Sequence, residues 1–395
     1  MKKFILSTAT LATFLTLVAC TNVKGKNNPS VAIESPETTK VIDNEISKEA
    51  NIQVAILLDT SSSMDGLIEQ AKSRLWNIVN TLTTLKFKGK TPQIEIALYE
   101  YGNDGLSQKQ NYIRKVTPLT SDLDLISEKL FALTTNGGYE YCGAVIEQAV
   151  QSLEWRNRKS DMKLIYIAGN EPFNQGPVNY KTAIGRAIEH DIYVHTIHCG
   201  NNSYGGINTW EDGAKRGKGK FFVIDHNVRV RHYATPYDDA ITRCNEKLND
   251  TYISYGAEGE MKKQSQVMQD QNARSISSSN YAERAVSKTK KVYNNSKWDL
   301  VDKMKEDESV IYDMEQSELP KELKNKSKEE IKTIVVQKEK ERSEIQKEIA
   351  TLAQKRQAHI EEQMKQDKNT AGDDLGKAIN ESVIELAMLK GYKME

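Results

Sequence analysis

Leu57-Leu58-Asp59-Thr60-Ser61-Ser62-Ser63-Met64 is the stretch whose reading decides the fold. It follows an apolar run, Ile52 to Leu58, which is continuous as a strand buried on both faces requires. An amphipathic helix comes next: Leu67, Ile68, Ala71, Leu75, Ile78, Val79, Leu82 and Leu85 recur every three or four residues. One carboxylate and two hydroxyls therefore gather where a strand ends and a helix begins. In open α/β sheets, ligands collect at this crevice. Asp59, Ser61 and Ser63 are hard oxygen donors, suited to a small hard cation such as Mg²⁺.

Outward from this turn, strand and helix patterns alternate to about residue 250. Strands are expected at Ile94–Tyr101, Asn111–Val116, Lys163–Ala168, Ile192–His198 and Lys220–Asp225. Helices are expected at Ser121–Leu133, Gly143–Leu153, Asn179–His190, Asn208–Arg216 and Tyr237–Leu248, with Ser121 or Asp122 capping the first. Helices between apolar strands imply a doubly wound, mainly parallel sheet of Rossmann-like α/β class.

The motif and its setting resemble the metal-ion-dependent adhesion site (MIDAS) of von Willebrand factor A (VWA) domains, over about residues 51–250. Trp210-Glu211-Asp212-Gly213-Ala214 and Gly219-Lys220-Phe221-Phe222 resemble that family's fifth helix and sixth strand. The resemblance implies that Asp59, Ser61 and Ser63 serve a metal, Mg²⁺ or Mn²⁺, whose open position accepts a carboxylate from a protein ligand. Two positions depart from the family pattern. Tyr139 stands where a threonine is expected after Gly137-Gly138, and Gly169 where an aspartate is expected. Glu140 and Glu171 stand close by in the sequence, and either carboxylate is a candidate for a rebuilt site. The competing explanation is local: Ser63 caps a helix, Asp59 satisfies backbone N–H groups, and the rim is metal-free.

The N-terminus reads as a targeting segment. Lys2 and Lys3 precede an apolar stretch, Phe4 to Val18, too short to span a bilayer. Leu17-Val18-Ala19-Cys20 resembles a bacterial lipobox, which implies a lipoprotein signal peptide over residues 1–19 and lipidation of Cys20. Residues 20–50 are polar, with Pro29 and Pro36, and read as a flexible tether. The chain is then expected in the bacterial cell envelope, held to the membrane by its lipid and facing the periplasm or exterior. Cys142, Cys199 and Cys244 remain. In an oxidising compartment a Cys142–Cys199 disulfide is expected, the two lying on one rim of the sheet, with three buried thiols as the alternative.

Beyond residue 250 the composition turns polar. Residues 251–295 read as a polar linker with weak helical parts, and 296–395 as a helical region, coiled coil or hairpin. Ile331, Val335, Ile345, Ile349 and Leu352 keep heptad spacing, but Lys338, Arg342, Arg356 and His359 interrupt the seam. A hairpin with the apolar face Leu375, Ile379, Val383, Leu386 and Leu389 is therefore expected.

Lys plus Arg and Asp plus Glu balance at 55 each, which argues against a nucleic-acid partner. No nucleophile-and-base arrangement or phosphate loop stands out, and His195 with His198 beside Cys199 lacks a clear fourth ligand for zinc. The chain is expected to be a protein-binding or adhesion module and not an enzyme. The alternative is a metal-free structural or assembly protein of the envelope that acts through its C-terminal helices.

Overall fold

The computed structural model describes residues 50–200, 206–366 and 374–394. The signal peptide, Cys20 and the tether lie outside these residues. Lys48 to Glu395 form one compact unit.

The centre is a six-stranded sheet. Its strands are β1 (Asn51–Asp59), β3 (Gln93–Tyr101), β4 (Ile113–Thr120), β5 (Met162–Gly169), β6 (Tyr193–Cys199) and β7 (Lys218–Ile224), in the order β4-β3-β1-β5-β6-β7. All neighbours pair in parallel except β4, which runs antiparallel to β3 at the edge. Every residue of β1 is buried, as its continuous apolar run demands. Successive side chains alternate between two cores. Ile52, Val54, Ile56 and Leu58 face one, and Ala55 and Leu57 the other.

Helices α3 (Cys142–Ser152), α4 (Tyr180–Glu189) and α5 (Ile207–Arg216) cover the second face. The first face is covered by α1 (Asp65–Thr83), α2 (Leu123–Phe131) and α6 (Asp238–Asn249), with help from distant parts of the chain. Asp122 caps α2, accepting from the Leu125 N–H at 2.9 Å. This is a doubly wound, mainly parallel α/β domain with further helices at its C-terminal side.

Residues 251–295 are not a linker. They hold α7 (Gly259–Ile276) and α8 (Ser278–Ser287), both packed on the first face of the domain. The error has a physical cause: many of the buried positions here are polar. Asp270, Arg284 and Lys288 are buried and satisfy one another, with Arg284 3.0 Å and Lys288 3.0 Å from Asp270. Arg284 also reaches Asp124 on α2 at 2.6 Å and lies over the Trp76 ring of α1 at 4.4 Å. Polarity along the sequence marks a buried charge network here, and not a solvated segment.

The expected hairpin does not form either. After α9 (Leu300–Glu306) and α10 (Val310–Asp313), α11 (Lys328–Gln366) runs against α6, α8, α9 and α10. The charges that interrupt its seam are its anchors. Arg342 and Arg356 are buried and pair with Asp299 (2.6 Å) and Asp238 (3.0 Å). Helix α12 (Leu375–Leu389) instead packs on α1 and the sheet. Arg74 holds Asp374 at 2.5 Å, Asn380 donates to Asn77 at 2.7 Å, and Ser382 meets the Tyr166 hydroxyl of β5 at 2.8 Å. Two short strands close the return. Leu85–Phe87 (β2) pairs antiparallel with Tyr392–Met394 (β8), and the Phe87 and Tyr392 rings meet at 5.0 Å.

The three later cysteines are buried free thiols, so the expected disulfide is absent. Cys142 lies in the core of the α3 face and Cys199 in that of the α1 face, with the sheet between them. Residue parity along β6 explains this: Val194 packs into the α3-face core, whereas Ile197 and Cys199 pack into the α1-face core. The same parity separates His195, stacked on Tyr166 at 4.7 Å, from His198, which neighbours Trp210 of the opposite core. Among the described residues no group of three or more His, Cys, Asp or Glu side chains is placed to hold a metal. No described helix is long and apolar enough to cross a membrane.

Candidate functional site

Asp59 ends β1 and is fully buried. Its neighbour Thr60 donates its N–H to the Tyr101 carbonyl of β3 at 2.8 Å, so the parallel pairing fixes where the carboxylate emerges. Asp59 Oδ1 accepts the Ser61 N–H at 2.8 Å, and the Ser61 hydroxyl hydrogen-bonds the same carboxyl. The Ser61 and Ser63 hydroxyls lie 3.2 Å apart, and Asn170, just beyond β5, donates to Ser63 Oγ at 3.1 Å.

This arrangement separates the two readings of the motif. Ser61 and Met64 occupy the N-cap positions of the short 3-10 turn and of α1, and neither side chain makes a cap bond. Local capping accounts for Asp59 Oδ1 alone. The Ser61 hydroxyl is turned inward instead, where it hydrogen-bonds both Asp59 and Glu140.

The second loop supplies the next carboxylate. Tyr139 points outward, 59% exposed, and the adjacent Glu140 turns in, 4% exposed, to hydrogen-bond Asp59. The close approach depends on Gly102, at φ +80°, where a Cβ would lie 2.8 Å from both Asp59 Oδ1 and Glu140 Cγ. Burial pushes both acids above the ordinary carboxylate range, and the Asp59 charge raises Glu140 further. Glu140 accordingly holds the proton and donates it to Asp59, because two like charges cannot both be kept ionised in a dry site.

At the end of β5 the space an aspartate would need is taken. A Cβ on Gly169 would lie 2.5 Å from the Tyr101 hydroxyl and 3.0 Å from Asp59 Oδ2. That hydroxyl donates to the Ala168 carbonyl at 3.0 Å. Glu171 does not join the cluster: it is exposed, accepts from Gln175 at 3.1 Å, and acts on Asp59 and Glu140 only through its charge. Asn170, Tyr101 and Gly102 were missed from the sequence. Only the pairing of β1 with β3 and β5 brings them to Asp59.

The donor set fits a hard cation. Asp59, Ser61, Ser63 and Glu140 present carboxylate and hydroxyl oxygens, with two carboxyls crowded together in a buried place. A cation there would neutralise the pair that otherwise shares a proton.

Comparison with known proteins agrees on the class. Residues 53–229 match the model of the von Willebrand factor type A domain, and the chain contains a domain of that type. Solved structures with a similar fold include the VWA domain of SpRpn10, 18% identical, covering 46% of this chain and 91% of that one at a TM-score of 0.35. A second is an aerotolerance-related membrane protein from Bacteroides fragilis carrying multiple mutations to serines. It is 16% identical, covering 44% of this chain and 92% of that one at a TM-score of 0.32. A third is proximal thread matrix protein 1 from the mussel byssus, with a zinc-occupied MIDAS motif. It is 14% identical, covering 45% of this chain and 43% of that one at a TM-score of 0.35. No curated protein matches the chain.

Proposed function

We propose that the chain is a lipid-anchored, extracytoplasmic protein-binding module whose Asp59 rim holds a divalent cation and docks a protein partner. The observation that carries this is the crowding of the Asp59 and Glu140 carboxyls, both buried, beside the paired Ser61 and Ser63 hydroxyls. Asp59, Ser61, Ser63 and Glu140 are the residues that would hold the cation. Glu140 takes the part of the family's missing threonine, and Glu171 supplies charge from the rim. A bound Mg²⁺ or Mn²⁺ would offer an open coordination position to an acidic side chain of the partner. Lipidation of Cys20 and a place in the bacterial cell envelope are supported by Lys2, Lys3, the apolar stretch and the lipobox-like sequence.

The test is thermal unfolding of the chain from residue 50 onward, in EDTA and then with Mg²⁺ or Mn²⁺, beside Asp59→Asn. A ligand that binds only the folded state stabilises it by about 2.7 kcal/mol at a hundredfold excess over Kd. Metal should raise the midpoint of the natural protein and leave Asp59→Asn unmoved. In EDTA, Asp59→Asn should match or exceed the natural protein, because it removes one of two crowded carboxyls while still accepting from Ser61. No metal response at millimolar concentration sinks the cation reading.

A further inference from the structure

The same rim carries an aromatic feature that the cation does not use. Asn111 and Tyr112 are consecutive non-glycine residues in left-handed backbone, at φ 56° and 54°. Residues with a Cβ seldom adopt this conformation, and such strain concentrates where it positions a functional side chain. Here it accompanies a tyrosine cluster. The Tyr112 ring lies 5.7 Å from that of Tyr139 and 6.0 Å from that of Tyr141, and the last two are 6.1 Å apart. Tyr141 is seated over Gly176, where a Cβ would come within 2.5 Å of its ring. Tyr139, the outermost, remains 59% exposed.

Acids lie beside this cluster, and the two cations that follow Tyr112 in the chain are engaged elsewhere, Arg114 in an ion pair with Glu100 and Lys115 with the Ser152 carbonyl at 3.2 Å. Asp104 is near enough to act on the Tyr112 hydroxyl. Glu171 is exposed and near enough for its charge to act on Asp59 and Glu140. Among the described residues neither Asp104 nor Glu171, both exposed, is in an ion pair. Aromatic faces attract cations through their quadrupole, and unpaired carboxylates nearby add to that attraction.

We propose that Tyr112, Tyr139 and Tyr141 form an aromatic platform that seats a basic side chain of the protein partner, an arginine before a lysine. A planar guanidinium stacks on a ring more readily than an ammonium does. This rests on the reading of the rim as the docking face. It adds a second recognition element, so that the partner presents a cationic side chain next to the acidic one.

The experiment uses the full chain and Nα-acetyl-arginine amide as probe, with Nα-acetyl-glutamine amide as the neutral comparison. Binding is followed by ligand-observed NMR in EDTA and again with Mg²⁺. The arginine probe should bind under both conditions and the glutamine probe should not. Tyr139→Leu should weaken the arginine probe roughly three- to fivefold, the loss expected for one exposed cation–π contact, and Tyr139→Phe should retain it. Tyr112→Asn, which suits left-handed backbone, should weaken it as well. Tyr139 is exposed, so unchanged unfolding midpoints in its variants establish that they fold. Equal binding of the two probes, or unchanged arginine binding in Tyr139→Leu, overturns the platform. Binding in EDTA by a protein whose stability ignores metal supports the platform while removing the cation site. A metal response without arginine binding does the reverse.

Discussion

Arg342 is the residue on which the union of the C-terminal helices with the sheet domain can be tested most sharply. It is 1% exposed, and it donates to Asp299 at 2.6 and 3.3 Å, to Asp302 at 2.9 Å, and to the Thr251 hydroxyl and carbonyl at 2.9 and 2.8 Å. Its guanidinium also covers the Tyr252 ring at 3.9 Å. These contacts join α11 to the end of α6 and to the start of α9. Arg342→Ala leaves Asp299, fully buried, without its counter-charge. Asp299 keeps only the N–H groups of Ile253 and Asp302, at 2.8 and 3.0 Å. Breaking a buried pair from one side costs about 3–5 kcal/mol. At a denaturant slope of about 3 kcal/mol per molar, the urea midpoint should fall by roughly 1 M. Asp299→Asn on the Arg342→Ala background should recover at least about 1 kcal/mol, because the stranded charge is then gone. Helix loss by circular dichroism and exposure of the tryptophans by fluorescence should coincide, since Trp76 and Trp210 sit in the sheet domain and Trp298 stacks on Tyr252. A midpoint shift below about 0.3 M would refute the charge argument. A shift confined to one of two separate transitions would refute the single cooperative unit.

Two further outcomes follow from the same packing. Residues 50–250 alone should be insoluble or bind hydrophobic dyes. Without α7, α8 and α12 the first face loses Ala273, Tyr281, Ala282, Ala285, Ile379, Val383 and Leu386, on the order of 10 kcal/mol of apolar burial. A soluble monomer with native near-ultraviolet circular dichroism would contradict this. The second outcome concerns pH. Burial, aided by the charge of Lys220, pushes the His195 imidazole down to about 3. Below the ordinary histidine value the unfolded chain then takes up a proton that the folded one refuses, so stability falls as pH falls from about 6.5 towards 3. At about pH 5 this amounts to about 2 kcal/mol from His195, and His195→Phe should flatten the profile between pH 7 and 5 by that amount. An unchanged slope in the variant would assign the acid sensitivity to other groups.

The sequence was informative where a local pattern carries a physical constraint. A continuous apolar run before Asp59 and a helical stripe after it require a buried strand and an amphipathic helix, whatever follows. The clustering of Asp59, Ser61 and Ser63 is local too, since all three lie within one turn. Three outcomes needed the tertiary structure. Glu140, and not Tyr139, turns towards Asp59 because Gly102 lets two loops approach. Cys142 and Cys199 are separated by the sheet because side-chain parity along β6 sends Cys199 to the opposite core. Arg284, Lys288, Arg342 and Arg356 read as solvated or seam-breaking charges, yet each is buried against acids distant in sequence. Periodicity reports apolar burial, which is local and additive along an element. The burial of a charge depends on a partner brought from elsewhere in the chain, and only the folded arrangement of the helices supplies that partner.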